Sequence, residues 1–255
     1  MIRRILPVLL LCSAQLFADG AVAVKQVSYK SGNETVSGVL YAPTEKLIAS
    51  QNGRYPALVV IHEWWGLDNW VKEQAEKLAT QGYVALAVDL YRGKSTTDPE
   101  VAHELMRGLP KDRGMRDLHA AVAYLKTLKN VDPNRIGSIG WCMGGGWSLA
   151  LAENEPTLKA AVVNYGQLSS DAVTLKPIHA AILGLFGAQD QGIPPESVHQ
   201  FDQQMKSLGK TVEIKIYPDA GHGFQNPINK DRYRPEDTKD AWQRIDAFFQ
   251  ANLKK

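Results

Sequence analysis

Short apolar runs alternate with amphipathic helical patterns, and this alternation most constrains the fold of the 255-residue chain. Continuous apolar runs such as residues 57–61 and 181–186 are typical of strands buried on both faces of a sheet. Further strands are predicted at 25–30, 35–41, 83–88, 136–139, 160–163 and 212–217. Helices are predicted at 69–80, 113–128, 197–208 and 237–253, with a short helix and loop within 92–113. The alternation predicts an α/β fold, a single domain with a mostly parallel central sheet and helices on both faces.

The N-terminal segment has the three-part pattern of a secretory signal peptide. Arg3 and Arg4 are followed by the apolar run 5–11 and then by small residues. This run is too short to span a bilayer. A lipoprotein interpretation through Cys12 is less favoured, because the residue before a lipidated cysteine is normally small and Leu11 is not. We therefore expect export, to a periplasmic or secreted location.

The mature chain is predicted to be one domain without nucleic-acid or membrane partners. Residues 1–23 are interpreted as the signal peptide, with cleavage after Ala18 or Ala23, and residues 24–255 as the domain. Removing the two arginines of the leader takes the formal charge from +2 to zero, so no basic excess remains for nucleic acid or an anionic membrane. Only Cys142 is left, which predicts no internal disulfide. We expect a monomer.

A glycine-flanked cysteine stands between a predicted strand and a predicted helix. The segment 140–145, Gly-Trp-Cys-Met-Gly-Gly, follows the strand at 136–139 and leads into a helical pattern at 145–152. This is a G-x-nucleophile-x-G pattern with Cys142 where serine is usual. At a helix N-terminus the macrodipole favours negative charge on the sulfur by about 0.3–1 kcal/mol. A buried structural cysteine is the alternative, and the glycine frame argues against it.

A thiol nucleophile needs a base, and the base needs an acid to orient it. His222 is the candidate base, because it lies in the loop between the last strand and the last helix. His179 is at the wrong end of a strand, and His199 lies in a polar helix. The candidate acid is Asp190, in a glycine-rich loop after the preceding strand, whereas Asp219 has the context of a turn residue.

Two backbone N–H groups and two charged side chains complete the predicted site. The N–H groups of Met143 and Trp64 are candidates for an oxyanion hole, since they follow the nucleophile and an early strand. Glu63 places a carboxylate in an otherwise apolar loop, where burial would raise its pKa. Arg92 is placed either to pair with Glu63 or to bind an anionic substrate. No metal or organic cofactor is predicted, because no cluster of His, Cys or Asp has ligand spacing.

Taken in order along the chain, several motifs resemble those of the dienelactone hydrolase family, a cysteine branch of the α/β-hydrolases. They are His62-Glu63-Trp64-Trp65-Gly66-Leu67, Asp89-Leu90-Tyr91, the segment 140–145, Asn164-Tyr165-Gly166, the Asp190 loop and Gly221-His222-Gly223-Phe224. The resemblance covers about residues 36–252. It implies an α/β-hydrolase fold and hydrolysis of esters or lactones through a thioester intermediate.

The resemblance also implies roles for individual residues. Cys142, His222 and Asp190 match the family's catalytic triad. Glu63 matches a glutamate that helps to generate the thiolate when substrate displaces it. Tyr165 matches a tyrosine that lines the family's substrate pocket.

One position departs from the resembled family. Its chlorocatechol-pathway members hold the carboxylate of the lactone with two arginines, one of them four residues past the catalytic histidine. This chain has Asn226 there, and Arg92 is not an obvious match for the other arginine. The alternative function is a non-hydrolytic protein that binds or senses an electrophile or oxidant through Cys142. The filled triad positions favour the hydrolase.

Overall fold

The computed structural model describes residues 22–44 and 53–254, which form a central sheet covered by helices. The strands are β1 (Val22–Ser31), β2 (Glu34–Pro43), β3 (Tyr55–Ile61), β4 (Val84–Val88), β5 (Val131–Trp141), β6 (Ala160–Asn164), β7 (Ala181–Gly187) and β8 (Val212–Tyr217). The helices are α1 (Asn69–Thr80), α2 (Pro99–Arg107), α3 (Lys111–Thr127), α4 (Met143–Asn154), α5 (Ala172–Leu175), α6 (Pro195–Ser207) and α7 (Pro235–Leu253).

The strand order places the carboxyl ends of the parallel strands along one edge. The order is β1-β2-β4-β3-β5-β6-β7-β8, in which β2 is antiparallel to both β1 and β4, and β4, β3, β5, β6, β7 and β8 are parallel. This confirms the predicted α/β class with a mostly parallel sheet. β3 lies between β4 and β5, so the connections on its two sides run in opposite directions along the sheet. Such a reversal of strand order opens a crevice at the carboxyl ends of the strands.

The central strands are buried on both faces, which explains their continuous apolar sequences. In β3, Leu58 and Val60 belong to the core layer under α1 and α7. Val59 and Ile61 belong to the opposite layer, under α3, α4 and α6. All four residues are 0% exposed, so the centre of the sheet gives a rigid base for the loops at its carboxyl edge.

Most predicted elements are confirmed, and the differences have local causes. The predicted bounds of α1 and β8 agree with the structure, and α2 lies within the region expected to hold a short helix. β5 begins five residues earlier than predicted because its first half is polar and lacked an apolar pattern. α4 begins at Met143 rather than residue 145, since its glycines continue the helix. The four-residue α5 was not predicted.

Residues 1–21 lie outside the described part of the chain, so the signal peptide remains a prediction. Val22 and Ala23 are described, and both belong to β1, where Ala23 is paired with Ala42. Within the described residues, no helix has both the length and the apolar character needed to cross a membrane.

Candidate active site

Cys142 occupies the sharp turn between β5 and α4. Its φ of 53° is in the left-handed region, which is strained for a residue with a side chain. Gly140 and Gly144 make this turn possible. A Cβ atom on Gly140 would collide with the carbonyl oxygen of Gly144, and one on Gly144 with that of Ile61. The turn therefore holds the partly exposed sulfur at the N-terminus of α4.

The structure brings the predicted nucleophile, base and acid into one line. His222 Nε2 lies 3.0 Å from Cys142 Sγ, and His222 Nδ1 lies 2.7 Å from Asp190 Oδ2. The three residues come from the loops after β5, β8 and β7, whose carboxyl ends meet at the same edge of the sheet. The arrangement has the geometry of a nucleophile, a proton carrier and an orienting carboxylate.

Backbone hydrogen bonds hold the Asp190 carboxylate in position. Oδ1 accepts from the N–H groups of Gly192 at 2.9 Å and Ile193 at 3.1 Å, and only 1% of the side chain is exposed. Burial lowers the pKa of His222, but its hydrogen bonds with Asp190 and Cys142 outweigh this effect and raise the pKa to about 10. The site therefore stabilises the protonated imidazole beside the sulfur.

Glu63 is buried in the same crevice and is held by uncharged donors. Asn226 Nδ2 donates to Oε2 at 2.7 Å, and the Tyr165 hydroxyl donates to Oε1 at 3.3 Å. Burial raises the pKa of Glu63 to about 7, and Asp68 acts in the same direction. The hydrogen bonds from Asn226 and Tyr165 and the charge of His222 act against the shift. This carboxyl therefore titrates near neutral pH.

Arg92 is not the partner of Glu63. Its Nη2 lies 2.9 Å from Asp117 Oδ2 and 3.3 Å from Glu34 Oε2, so the guanidinium is committed to these carboxylates. The φ of Arg92 is 59°, a left-handed backbone conformation in the loop after β4. The amino-acid sequence did not indicate this conformation. The predicted pairing with Glu63 is therefore wrong. Binding of substrate by Arg92 stays a prediction that its present contacts do not favour.

Tyr165 is fully enclosed and lies against the base. Its ring packs edge-on to the ring of His222 with centroids 5.3 Å apart, and its hydroxyl is bound to Glu63. None of its surface is exposed. Tyr165 therefore contacts both Glu63 and His222. Its role as a wall of the substrate pocket stays a prediction.

A buried hydrogen-bond network ties the loop of His222 to the turn of Cys142. Asn164 donates to the Gly140 carbonyl at 3.0 Å and accepts from Gln225 at 2.9 Å. Gln225 also accepts from the indole of Trp141 at 3.0 Å. Because all its polar groups are paired, this network can fix the distance between the base and the nucleophile.

The two proposed oxyanion donors lie at the ends of neighbouring strands. Met143 is the first residue of α4, so its N–H has no acceptor within the helix. Trp64 lies in the turn after β3, and its ring contacts Trp65 and His103. The Tyr91 hydroxyl donates to the sulfur of Met143 at 3.1 Å, which places Tyr91 beside the nucleophile turn.

Asn226 and Tyr91 are site residues that the sequence did not identify. Asn226 was noted only as a departure from the resembled family, although its position in the loop of His222 was a usable signal. Tyr91 was part of a motif without an assigned role. Within residues 22–44 and 53–254, no three His, Cys, Asp or Glu side chains converge as metal ligands would.

Comparison with known proteins gives a consistent result. Residues 39–253 match the dienelactone hydrolase family. A putative carboxymethylenebutenolidase of Methylorubrum extorquens is 32% identical over 221 residues, covering 81% of this chain and 76% of that protein. One from Synechocystis is 30% identical over 245 residues, covering 89% of this chain and 96% of that protein.

Solved structures agree with these sequence relatives. A putative dienelactone hydrolase from Klebsiella pneumoniae superposes with a TM-score of 0.80 at 28% identity, covering 90% of this chain and 98% of that one. A dienelactone hydrolase-like promiscuous phosphotriesterase from metagenomic libraries has a TM-score of 0.83 at 25% identity, covering 92% of this chain and 100% of that one. The fold is therefore that of the α/β-hydrolases, and the chain belongs to the dienelactone hydrolase family.

Proposed function

We propose that this protein hydrolyses carboxylic esters or lactones with Cys142 as the nucleophile. The observation that carries the proposal is the line of hydrogen bonds from Asp190 through His222 to the sulfur, at 2.7 and 3.0 Å. Membership of a hydrolase family supports the reaction class. The relatives named as putative carboxymethylenebutenolidases support lactones as well as open-chain esters among the substrates to test.

The proposed reaction forms and then hydrolyses a thioester. The thiol proton passes to His222 Nε2, and the sulfur attacks the carbonyl carbon. The negative charge that develops on the oxygen is stabilised by the N–H groups of Met143 and Trp64. His222 gives the proton to the departing alkoxide. It then takes a proton from water, which attacks the thioester and releases the acid and the thiol.

Glu63 is proposed to assist this cycle as a proton acceptor. As a carboxyl that titrates near neutral pH beside His222, it can carry a proton or a negative charge in the working range. Movement of Glu63 away from Asn226 on substrate binding would bring its carboxylate within reach of the thiol, where it would accept the thiol proton in place of His222.

The test is hydrolysis of p-nitrophenyl esters and small lactones, including a dienelactone, by the wild type, Cys142→Ala and Cys142→Ser. We expect Cys142→Ala to lose on the order of 10⁴-fold in kcat/KM. Cys142→Ser should keep its fold and turn over poorly, because a hydroxyl is a much weaker acid than a thiol. Unchanged hydrolysis by Cys142→Ala would contradict the mechanism.

The alternative, a thiol-based sensor or binding protein, predicts a different result in the same assay. The wild type would leave every substrate intact while iodoacetamide still alkylated Cys142 rapidly. The ordered Asp190 and His222 argue against this alternative, because binding of an electrophile does not need an oriented base.

We also propose export to the periplasm or medium. N-terminal sequencing of the mature protein tests this by revealing cleavage after Ala18 or Ala23.

A further inference from the structure

Carboxylates outnumber cations around Cys142. Asp190, Glu63 and Asp68 all lie in or next to the crevice, and Asp68 raises the pKa of Glu63. Within the described part of the chain, no lysine or arginine forms an ion pair with any of these carboxylates. The cation beside the sulfur is His222, and Asp190 already balances its charge at 2.7 Å. A second negative charge brought by a substrate would therefore meet an uncompensated negative field.

Asn226 binds Glu63 without neutralising it. Its Nδ2 donates to Glu63 at 2.7 Å, its Oδ1 accepts from the N–H of Ile228 at 3.0 Å, and it is 0% exposed. An amide satisfies the carboxylate's hydrogen bond but adds no positive charge. Arg92 does not supply that charge, because its guanidinium is held by Asp117.

The groove next to the crevice has the same character. A cavity of about 540 Å³ is formed by the loops that carry Glu63 and Asn226, together with residues 95–97. The residues that line it include Trp65, Ser95 and Thr96. Ile228, 59% exposed, adds an apolar edge, and Asp68 is the charged group in the lining. Lys72, on α1, partly offsets the charge of Asp68.

We propose that this site selects esters and lactones without a negative charge, and that Glu63 and Asn226 are its specificity-determining residues. The inference rests on the proposed hydrolytic function and specifies its substrate class. A carboxylate on the acyl group would approach Glu63, which is 3% exposed, and repulsion from a buried charge is screened less than repulsion between two charges in bulk water.

The selectivity should depend on pH. Burial raises the pKa of Glu63 to about 7, so its negative charge appears as the pH rises from 6 to 8. The groups facing it are Asp68, which adds negative charge, and His222, which offsets it. Tyr165 stays uncharged in this range, because burial raises its pKa further above its usual value. Discrimination against anions should therefore increase from pH 6 to pH 8.

The first test compares p-nitrophenyl hexanoate with mono-p-nitrophenyl adipate, which differ by a terminal methyl against a carboxylate. At pH 8 we expect the wild type to favour the hexanoate in kcat/KM at least tenfold more than hydroxide does in the uncatalysed reaction. Glu63→Gln should narrow this ratio by several-fold, whatever it does to the rate of both esters. Glu34→Gln, which removes an exposed carboxylate bound to Arg92, should leave the ratio unchanged. A wild-type preference for the hexanoate no larger than that of hydroxide would overturn the inference.

The second test needs no hydrolysis. The rate of alkylation of Cys142 by iodoacetate is divided by the rate with iodoacetamide, and both are normalised to 2-mercaptoethanol. We expect a normalised ratio of about 0.1 at pH 8 that rises towards 1 at pH 6 and in Glu63→Gln. If this ratio is found while neither ester is hydrolysed, the proposed function fails and the charge selectivity stands. A normalised ratio of 1 or more at pH 8 would overturn the inference.

Discussion

Glu63 and Asp117 are both buried carboxylates, but Asp117 forms an ion pair and Glu63 is bound by uncharged donors. Asp117, with 3% of its side chain exposed, is bound by Arg92 at 2.9 Å and by the hydroxyl of Ser31 at 2.5 Å. Glu63, a residue that is 3% exposed, is bound among the described residues by the uncharged donors Asn226 and Tyr165. The Asp117 cluster balances its charge, whereas the crevice around Cys142 retains an unbalanced one.

The difference separates a structural role from a chemical one. A buried carboxylate that meets a guanidinium and a hydroxyl ties distant segments together, here β1, α3 and the loop after β4. A buried carboxylate without a cation is costly to ionise, and such groups concentrate at functional sites. Three variants test this difference between the two carboxylates.

The largest effect should come from removing the proton carrier next to Glu63. His222→Ala leaves the Cys142 thiol without a base, and we expect kcat/KM for an activated ester to fall by about 10³-fold or more. His199→Ala, on an exposed position of α6, is the matched control and should keep its activity. Near-normal turnover by His222→Ala, with an unchanged circular dichroism spectrum, would contradict the assignment of the base.

The next effect is on stability and tests the balanced cluster. Asp117→Ala leaves Arg92 without its buried partner, and we expect the free energy of unfolding to drop by about 3 kcal/mol. Glu34→Ala removes the half-exposed partner of the same guanidinium and should cost less than about 1 kcal/mol. Urea denaturation measures both. Equal losses in the two variants would show that burial of the pair does not matter.

The smallest effect is the pH dependence that Glu63 imposes on stability. Burial raises its pKa in the folded state to about 7 from an ordinary value of 4.5, so the folded state binds more protons between these values. Stability from this group is fully present below pH 4.5 and is lost as the pH rises through 7.

Glu63→Gln removes this dependence. From pH 5 to pH 7, the unfolding free energy of the wild type should fall relative to the variant by roughly 2 kcal/mol. Parallel curves for the two proteins in urea titrations at several pH values would count against an uncompensated carboxyl at this position.

The local patterns predicted the fold well where one physical constraint dominates. β3 and β7 are buried on both faces and all their residues are apolar or small, a pattern that is visible without tertiary information. The first half of β5 is polar and pairs irregularly with β3, so its sequence carried no strand signal. The four-residue α5 is too short to show a helical period.

The order in which the catalytic residues follow the strands can be read from the amino-acid sequence. Cys142, Asp190 and His222 each follow a strand of a parallel sheet, and the carboxyl ends of such strands must meet at one edge. The glycines around Cys142 required a tight turn, because a Cβ at Gly140 or Gly144 would meet backbone atoms.

The pairing of charged and polar side chains becomes visible only in the folded protein. Asn226 reaches Glu63 across 163 residues of chain, and Arg92 turns to Asp117 through a left-handed backbone conformation. These pairings depend on the direction of each side chain after the loops have packed, and residue type and spacing do not encode that direction. The amino-acid sequence therefore located the catalytic residues, and the packing of the loops set the charge of the crevice around them.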